Sequence, residues 1–245
     1  PVRVSLNDDY TPNFNRIESA ISAKTKMIVI NNPHNPTGRI WTEQDFEALE
    51  TILEKHPQIL ILGDEVYEYI TFSQPHISFN TRPKLVERTI IASSFGKSLH
   101  VTGWKVGYLI ATENLMFEMK KVHQFLVFSV NSFSQHAISE YLDVVDFSEV
   151  SKMYQRKRDL FQNLIKDSRF ELMPCDGTYF QVVNYNQISS KNDVDFAKEL
   201  IVNHGVASIP ISVFYNDATD RHMLRFCFAK TDETLIAAAE KLNQI

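Results

Sequence analysis

The sequence has little of what marks several common classes of protein. It holds only two cysteines among 245 residues, Cys175 and Cys227. Because they stand far apart, neither a disulfide framework nor a zinc ribbon is predicted, and we expect no metal centre. No block of lysine and arginine occurs and the formal net charge is -5, so a nucleic-acid partner is not expected.

Long apolar runs are also missing, since none approaches the roughly 18 residues that span a bilayer. No signal peptide is recognisable either, and we therefore predict a soluble, cytoplasmic protein without a membrane segment. The hydrophobic fraction of 44% is large enough for a core in one or two domains. The sequence opens with Pro1 in PVRVSLND, which reads as the middle of a protein, so we expect a substantial N-terminal part upstream of it.

The first half of the sequence alternates between strand and helix patterns. Short apolar runs of strand length occur at 26–31, 58–65, 88–94 and 106–112. Helical spacing follows Thr42, a candidate N-cap, over residues 42–55. Continuous apolar runs with helices between them are typical of strands buried on both faces of a mostly parallel sheet. Further helical patterns lie at about 113–127, 133–145 and 148–167.

The pattern changes from about residue 169. The sequence predicts two strands around a turn at 169–185, a helix at 193–205 capped by Gly205, a strand at 222–230 and a helix at 232–244. We predict an α/β fold in two parts. Residues 1–150 form the larger domain with a mostly parallel sheet, and residues 151–245 form a smaller C-terminal α+β domain.

Glycine is scarce, and its placement is informative. Five of the seven glycines lie in or beside three segments that also hold unusual polar residues: NNPHNPTG (31–38), ILGDEVYEYITF (61–72) and ASSFGKSLHVTGWKVGYLIA (92–111). Glycine permits close backbone approaches that other residues resist. Open α/β folds bind ligands at the carboxyl ends of their strands, so we expect a ligand site in these segments.

Each segment alone has an ordinary explanation. Turn chemistry accounts for the prolines and glycine of the first, although not for its three asparagines and a histidine. An acidic exit from a strand accounts for Asp64 and Glu65, of which only one can point into a given site. A solvated loop accounts for Lys97, since most lysines are exposed.

Taken together, the three segments supply the groups that pyridoxal phosphate (PLP) demands. An amine forms a Schiff base with the cofactor's carbonyl, and a carboxylate keeps its pyridine nitrogen protonated. An asparagine amide and a tyrosine hydroxyl can donate to the phenolate oxygen, while a serine and a second cation can hold the phosphate. The three segments therefore predict a PLP site.

The strings NNPHNPTG, GDEVYEYITF, SSFGKSLHVTGWKVGY, GTYF, IPISVFY and LRFCFAK, in this order, resemble the class I/II aminotransferases of PLP fold type I. The resemblance is strongest to the branch of methionine and kynurenine (glutamine-type) aminotransferases, and it runs from about Ser5 to the C-terminus. It implies that residues 1–150 are the C-terminal part of the large PLP-binding domain. It also implies a homodimer that moves an amino group from an amino acid to a 2-oxo acid.

The resemblance implies which residues serve the cofactor. Lys97 would form the aldimine and then shuttle the proton between the substrate's Cα and C4′ of the cofactor. Asp64 would partner the pyridine nitrogen, so that the ring can act as an electron sink. Tyr67 and Asn35 would donate to O3′ of the cofactor.

Three further roles follow from the same resemblance. Ser94 and Lys105 would bind the phosphate; many aspartate-type relatives have arginine at the second position, whereas the kynurenine-type branch commonly has lysine. Arg225 would grip the substrate α-carboxylate, together with Asn35, because its planar fork suits a carboxylate. Arg221 is the nearby competitor, but it lies in the polar stretch DATDRH and is interpreted as a solvated loop residue.

Some features of the family do not carry over. Its Gly-rich phosphate loop, the aromatic residue that stacks on the pyridine ring and the tyrosine from the partner subunit all lie further upstream than this sequence reaches. For Tyr179 and Phe214, a core role and a substrate contact both stay open. The Asn35–Pro36 bond is predicted to be cis, because cis X-Pro allows a sharp turn from a strand end into a site.

The resemblance also implies a neutral substrate. Relatives that act on aspartate read its distal carboxylate with an arginine after the aldimine lysine, yet no arginine occurs between Lys97 and Arg156. We therefore expect a sulfur-containing or aromatic amino acid. Two alternatives stay open: a cysteine-S-conjugate or cystathionine-type β-lyase of the same fold, and a non-enzymatic PLP-fold module of a regulator. The presence of Lys97, Asp64, Tyr67 and Arg225 argues against the second.

Overall fold

The computed structural model describes residues 1–245, which form two compact units. The first unit comprises Pro1–Pro33, Ile40–Tyr69 and Pro75–Ser148. The second comprises His34–Arg39, Ile70–Gln74 and Glu149–Ile245. The division of the protein at residue 150 into a PLP-binding and a small domain stays a prediction. No helix of the structure is both long and apolar enough to cross a membrane.

The first unit is built on a four-stranded sheet. Its strands, in the spatial order β1-β2-β3-β4, are β1 (Met27–Asn31), β2 (Leu60–Asp64), β3 (Thr89–Ser94) and β4 (Gly107–Ile110). β1, β2 and β3 are parallel, and β4 runs antiparallel to β3. The register pairs Asn31 with Asp64 and Asp64 with Ala92, so the carboxyl ends of the three parallel strands lie side by side. The predicted α/β class with a mostly parallel sheet is confirmed.

Five helices belong to this unit: α1 (Phe14–Ala20), α2 (Glu43–Glu54), α3 (Phe95–Ser98), α4 (Glu113–Leu126) and α5 (Ser132–Leu142). Thr42 is the N-cap of α2, as predicted, and Thr42 and Asp45 form a capping box that satisfies two backbone N–H groups. The helix buries Phe46, whose ring packs 5.5 Å from Trp41 and 4.8 Å from Phe79. These contacts fix α2 in the core of the unit.

The α4 and α5 helices carry large apolar side chains that this structure leaves in contact with solvent. No residue of α4 is buried. Phe125 is 84% exposed, Phe128 is 82% exposed and Phe133 is 87% exposed. Single exposed apolar residues are normal on protein surfaces, but a contiguous set marks an interaction surface.

The second unit consists of an antiparallel sheet and three helices. α6 (Phe147–Ile165) leads into it, followed by β5 (Glu171–Leu172), β6 (Phe180–Asn184), α7 (Asp193–His204), β7 (Ile209–Pro210), β8 (Met223–Cys227) and α8 (Asp232–Leu242). The spatial order of the strands is β5-β6-β8-β7. α7 ends at Gly205, whose φ of +64° is the left-handed conformation that the predicted cap requires.

Two short early segments join this second unit through backbone hydrogen bonds. The Gly38 carbonyl accepts from the N–H groups of Asp176 (2.9 Å) and Gly177 (2.8 Å). Thr71 forms an antiparallel bridge with Gly177. His34–Arg39, the segment that carries Asn35, is therefore anchored to the loop before β6.

Candidate active site

The predicted site residues fall into two groups. Asp64, Tyr67, Ser94, Lys97 and Lys105 lie in the first unit. Asn35 and Arg225 lie in the second. Within the first unit, Asp64 ends β2 and Ser94 ends the neighbouring β3, so the sheet itself places a carboxylate and a hydroxyl at one edge.

Asp64 has an environment that disfavours its charge. Its carboxylate is half-buried and accepts a hydrogen bond from the Val66 N–H at 3.3 Å. Burial raises the pKa of Asp64; the hydrogen bond from Val66 opposes this, and the neighbouring Glu65 adds to it. A carboxylate held in this way is stabilised by a cationic N–H donor placed against it.

Lys97 lies in the single turn of α3, directly after β3. Its side chain is half-buried, and Nζ lies 5.9 Å from the centre of the Tyr67 ring, which is itself buried. Gly96 precedes it in a crowded position, where a Cβ would lie 3.0 Å from Thr102 Cα and 3.1 Å from Ser94 Oγ. The glycine thus lets the chain turn tightly from the strand into the helix that presents the lysine.

Ser94 and Lys105 differ in their surroundings: Ser94 is hydrogen-bonded within the protein, whereas Lys105 is exposed. Ser94 is the N-cap of α3: its Oγ accepts from the Gly96 N–H at 3.1 Å and donates to the Val106 carbonyl at 3.2 Å. To donate to a phosphate, this hydroxyl must turn away from Val106. Lys105 is exposed and adopts the left-handed conformation, with φ +57°. Non-glycine residues rarely adopt this conformation, and where they do a functional constraint is one reason.

Glu68, one residue after Tyr67, was not anticipated from the sequence. Its Oε1 accepts hydrogen bonds from Ser93 Oγ at 2.8 Å and from the Tyr108 hydroxyl at 2.6 Å. Burial, and then the hydrogen bond to Glu68, raise the pKa of Tyr108. The signal in the sequence is the string EVYE, but only the register of β3 with β4 places Ser93 and Tyr108 opposite each other.

In the second unit, Asn35 and Arg225 are directly bonded. Arg225 Nη1 donates to Asn35 Oδ1 at 2.6 Å. The Arg225 guanidinium also lies 3.9 Å from the centre of the Phe180 ring and 5.4 Å from that of Phe214. The hydrogen bond and the two rings hold the guanidinium in one orientation. The sequence singled out the GTYF and VFY strings but not the contact of Phe180 with Arg225.

The segment that carries Asn35 is compact. The Asn35–Pro36 bond is cis, as predicted, and the Asn32–Pro33 bond is cis as well. His34 Nδ1 lies 2.8 Å from Thr37 Oγ1, and burial lowers the pKa of His34 to about 4. This histidine is therefore neutral at physiological pH and supports the loop rather than adding charge to it.

The remaining aromatic and arginine candidates have local partners. Tyr179 packs its ring 4.7 Å from Phe180 and 5.5 Å from Tyr154. The Arg221 guanidinium lies 5.5 Å from the Tyr215 ring.

Comparison with known proteins identifies the family. Residues 1–242 match the family model "Aminotransferase class I and II". The chain belongs to the class I and II aminotransferases, and its fold is that of the PLP fold type I enzymes.

Individual relatives agree with this assignment. The chain is 44% identical to the methionine aminotransferase of Escherichia coli K12 over 228 residues, covering 92% of this chain and 59% of that protein. It is 33% identical to a kynurenine–oxoglutarate transaminase of Dictyostelium discoideum, covering 95% and 59%. A solved E. coli structure described as a methionine aminotransferase superposes with a TM-score of 0.94 at 42% identity, covering 96% and 62%. The chain thus spans about three fifths of the length of these relatives.

Proposed function

We propose that the natural protein that carries this chain is a PLP-dependent aminotransferase. It transfers the amino group of a neutral, sulfur-containing or aromatic L-amino acid to a 2-oxo acid. The observation that carries the proposal is the arrangement of Asp64, Tyr67 and Lys97 around the ends of β2 and β3. The similarity to a methionine aminotransferase and to kynurenine transaminases supports the substrate class.

The first unit fits PLP on its own chemistry. The Asp64 carboxylate has a raised pKa because it is partly desolvated, and a pyridinium N–H would offset that penalty. Lys97 lies beside the Tyr67 ring, so an amine and a phenol that can donate to O3′ are neighbours. Lys105 is exposed and can meet a phosphate. When bound, PLP supplies the electron sink that makes the substrate's Cα–H bond acidic.

The chain's own residues then have distinct tasks. Lys97 would hold the cofactor through Nζ and would move the proton of the substrate's Cα. Asp64 would keep the pyridine nitrogen protonated, and Tyr67 and Asn35 would donate to O3′. Ser94 and Lys105 would bind the phosphate. Arg225 would orient the substrate by binding its α-carboxylate through two hydrogen bonds, and the stack on Phe180 preorganises the guanidinium for this.

We also propose that the natural protein is a homodimer and lies in the cytoplasm. The phenylalanines exposed on α4, α5 and the loop between them support an interface of this kind, since side chains of this type are normally buried. Light scattering of the purified natural protein measures the mass directly, and a monomeric mass would remove the dimer from the proposal.

The activity is tested with and without an amino acceptor. Natural protein, reconstituted with PLP, is mixed with methionine, kynurenine or a cysteine S-conjugate in the presence and absence of a 2-oxo acid. An aminotransferase turns over only with the acceptor, whereas a β-lyase releases product from a cysteine conjugate without one. Binding of PLP without either reaction would favour the non-enzymatic module. Lys97→Arg is the matched control, because it keeps the charge and loses the nucleophile.

A further inference from the structure

Glu68 occupies an unusual position for a half-buried carboxylate. No lysine, arginine or histidine forms a salt bridge with it, and its Oε1 instead accepts from two hydroxyl groups, Ser93 Oγ at 2.8 Å and Tyr108 OH at 2.6 Å. The two donors belong to different strands, since Ser93 of β3 pairs directly with Tyr108 of β4. Hydrogen bonds to an ionised acceptor are about twice as strong as neutral ones. The carboxylate therefore ties the turn after β2 to both neighbouring strands.

The hydrogen bonds of Glu68 lie on one particular face of the sheet. Successive strand residues face opposite sides of a sheet, so Ser93 and Ser94 lie on opposite faces of β3. Asp64 pairs with Ala92, which shares its face with Ser94. Glu68 therefore binds the face of the sheet opposite to the one that carries Asp64 and Ser94.

The backbone around Glu68 is short and constrained. The Glu68 N–H donates to the Glu65 carbonyl at 2.8 Å, and the Glu65 N–H donates to the Ala92 carbonyl at 2.9 Å. Tyr67 lies inside this turn, so its backbone is fixed at one end by the sheet ladder and at the other by the Glu68 side chain. Without the Glu68 side chain, the turn would lose its hydrogen bonds to Ser93 and Tyr108.

We propose that Glu68 is a positioning residue that holds the Tyr67 hydroxyl in place for the cofactor by tying the turn after β2 to Ser93 and Tyr108. The inference rests on the proposed function, in which Tyr67 donates to O3′ of PLP. It assigns Glu68 no contact with substrate or cofactor. Its effect on the reaction passes through Tyr67.

The spectroscopic readout follows from that role. With PLP bound, a donor at O3′ would stabilise the negative charge of that oxygen, and the oxygen would then attract the proton on the Lys97 nitrogen less strongly. A misplaced Tyr67 therefore raises the pH at which the visible absorbance of the bound cofactor changes. We expect Glu68→Ala to raise this midpoint by about half a unit to one unit, as the loss of one hydrogen bond would. We also expect kcat/KM to fall by about tenfold to a hundredfold.

The matched variant is Glu68→Gln. Glutamine keeps an Oε1 acceptor for Ser93 and Tyr108 but gives weaker hydrogen bonds than a carboxylate, so the absorbance midpoint of this variant should lie between those of the wild type and Glu68→Ala. Ser93→Ala and Tyr108→Phe each remove one donor and should give smaller shifts than Glu68→Ala. If Glu68→Ala fails to fold, the absorbance midpoints of these two variants test the inference instead.

A double-mutant cycle separates positioning from general damage. If Glu68 acts through Tyr67, Glu68→Ala should change nothing further in a protein that already carries Tyr67→Phe. Full additivity of the two changes would overturn the inference. So would a Glu68→Gln protein as impaired as Glu68→Ala, because the bonded acceptor would then not be what matters.

A second measurement does not depend on the proposed function. Crystal structures of the cofactor-free natural protein, as wild type and as Glu68→Ala, show where the Tyr67 hydroxyl lies. Displacement of that hydroxyl supports the inference, and an unmoved Tyr67 ring would refute it. If the wild type binds no PLP, the proposed function fails, while this comparison still decides the role of Glu68.

Discussion

Arg225 donates a hydrogen bond from Nη1 to Oδ1 of Asn35 at 2.6 Å, although 190 residues separate the two in sequence. The contact joins β8 to the segment His34–Arg39, which the backbone hydrogen bonds of Gly38 also fix within the second unit. An arginine whose orientation is set before a ligand arrives loses less entropy on binding it. The bond therefore supports Arg225 as the residue that grips a carboxylate.

Replacing Arg225 by lysine tests this assignment. Lysine keeps the charge but loses the bidentate fork and the stack on Phe180. We expect KM for the amino acid to rise by about tenfold to a hundredfold, the equivalent of one charged hydrogen bond, with a smaller change in kcat. Arg221→Lys is the matched control. A larger rise in KM for Arg221→Lys than for Arg225→Lys would mean that Arg221 binds the substrate carboxylate.

Replacing Asp64 by asparagine should separate stability from function. Burial raises the folded-state pKa of Asp64 above its ordinary value of 3.8. Its stabilising contribution is therefore present below pH 4 and is lost as the pH rises through the folded-state pKa, above which the ionised group opposes folding. At pH 7, Asp64→Asn should raise the Tm of the cofactor-free protein, yet lower its affinity for PLP and its activity.

The pH dependence of the melting temperature checks the Asp64 prediction. The Tm values of wild type and Asp64→Asn should approach each other as the pH falls below 4. Asp176→Asn provides a control of opposite sign, because Asp176 is bonded to Arg39 at 2.5 Å and its loss should lower the Tm. If the Tm of Asp64→Asn at pH 7 were lower than that of the wild type, the folded protein would stabilise the ionised Asp64 carboxylate even without a cofactor.

Much of the fold is readable from the sequence because its signals are local. The apolar runs at 58–65 and 88–94 became β2 and β3, and Thr42 caps α2 as its spacing indicated. Weak or short elements were missed: α1 has no buried residue, and β7 has only two residues. Their formation depends on partners distant in sequence, such as the pairing of Ile209 with Arg225.

The site shows the same limit. That Asp64, Ser94 and Lys97 lie at the same end of the sheet could be predicted, because the carboxyl ends of parallel strands meet at one edge. The contacts of Glu68 and Phe180 could not, since they arise from cross-strand neighbours. Tyr108 reaches Glu68 through strand pairing, and Phe180 lies under Arg225 because β6 pairs with β8. Pairing between distant strands leaves no mark on local periodicity.

The substrate should be neutral. No arginine lies between Lys97 and Arg156, and residues 125–138 carry phenylalanine, valine and serine instead. In a substrate pocket lined by this stretch, a second carboxylate left unpaired would cost several kcal/mol. We expect kcat/KM of the natural protein to be higher for methionine, phenylalanine, kynurenine or glutamine than for aspartate. A preference for aspartate would mean that a cation outside this stretch reads the distal carboxylate.

The two cysteines should differ sharply in reactivity. Burial raises the pKa of Cys175 to about 12, and its thiol donates to the Phe180 carbonyl at 3.2 Å. Cys227 is exposed. Iodoacetamide at pH 7.5 should therefore alkylate Cys227 and spare Cys175, as read by peptide mass spectrometry, because only the thiolate is nucleophilic. Equal labelling of both in native protein would contradict the buried environment of Cys175.

The account as a whole depends most on Lys97 as the residue that binds PLP, since every other assigned role is defined relative to that bond. Borohydride reduction fixes a cofactor on the amine that holds it. The natural protein should be yellow with PLP, and after reduction and proteolysis the mass of the cofactor should lie on the peptide that contains Lys97. Lys97→Arg should carry no label. Labelling of Lys105 or of any other lysine, with Lys97 unmodified, would contradict the account.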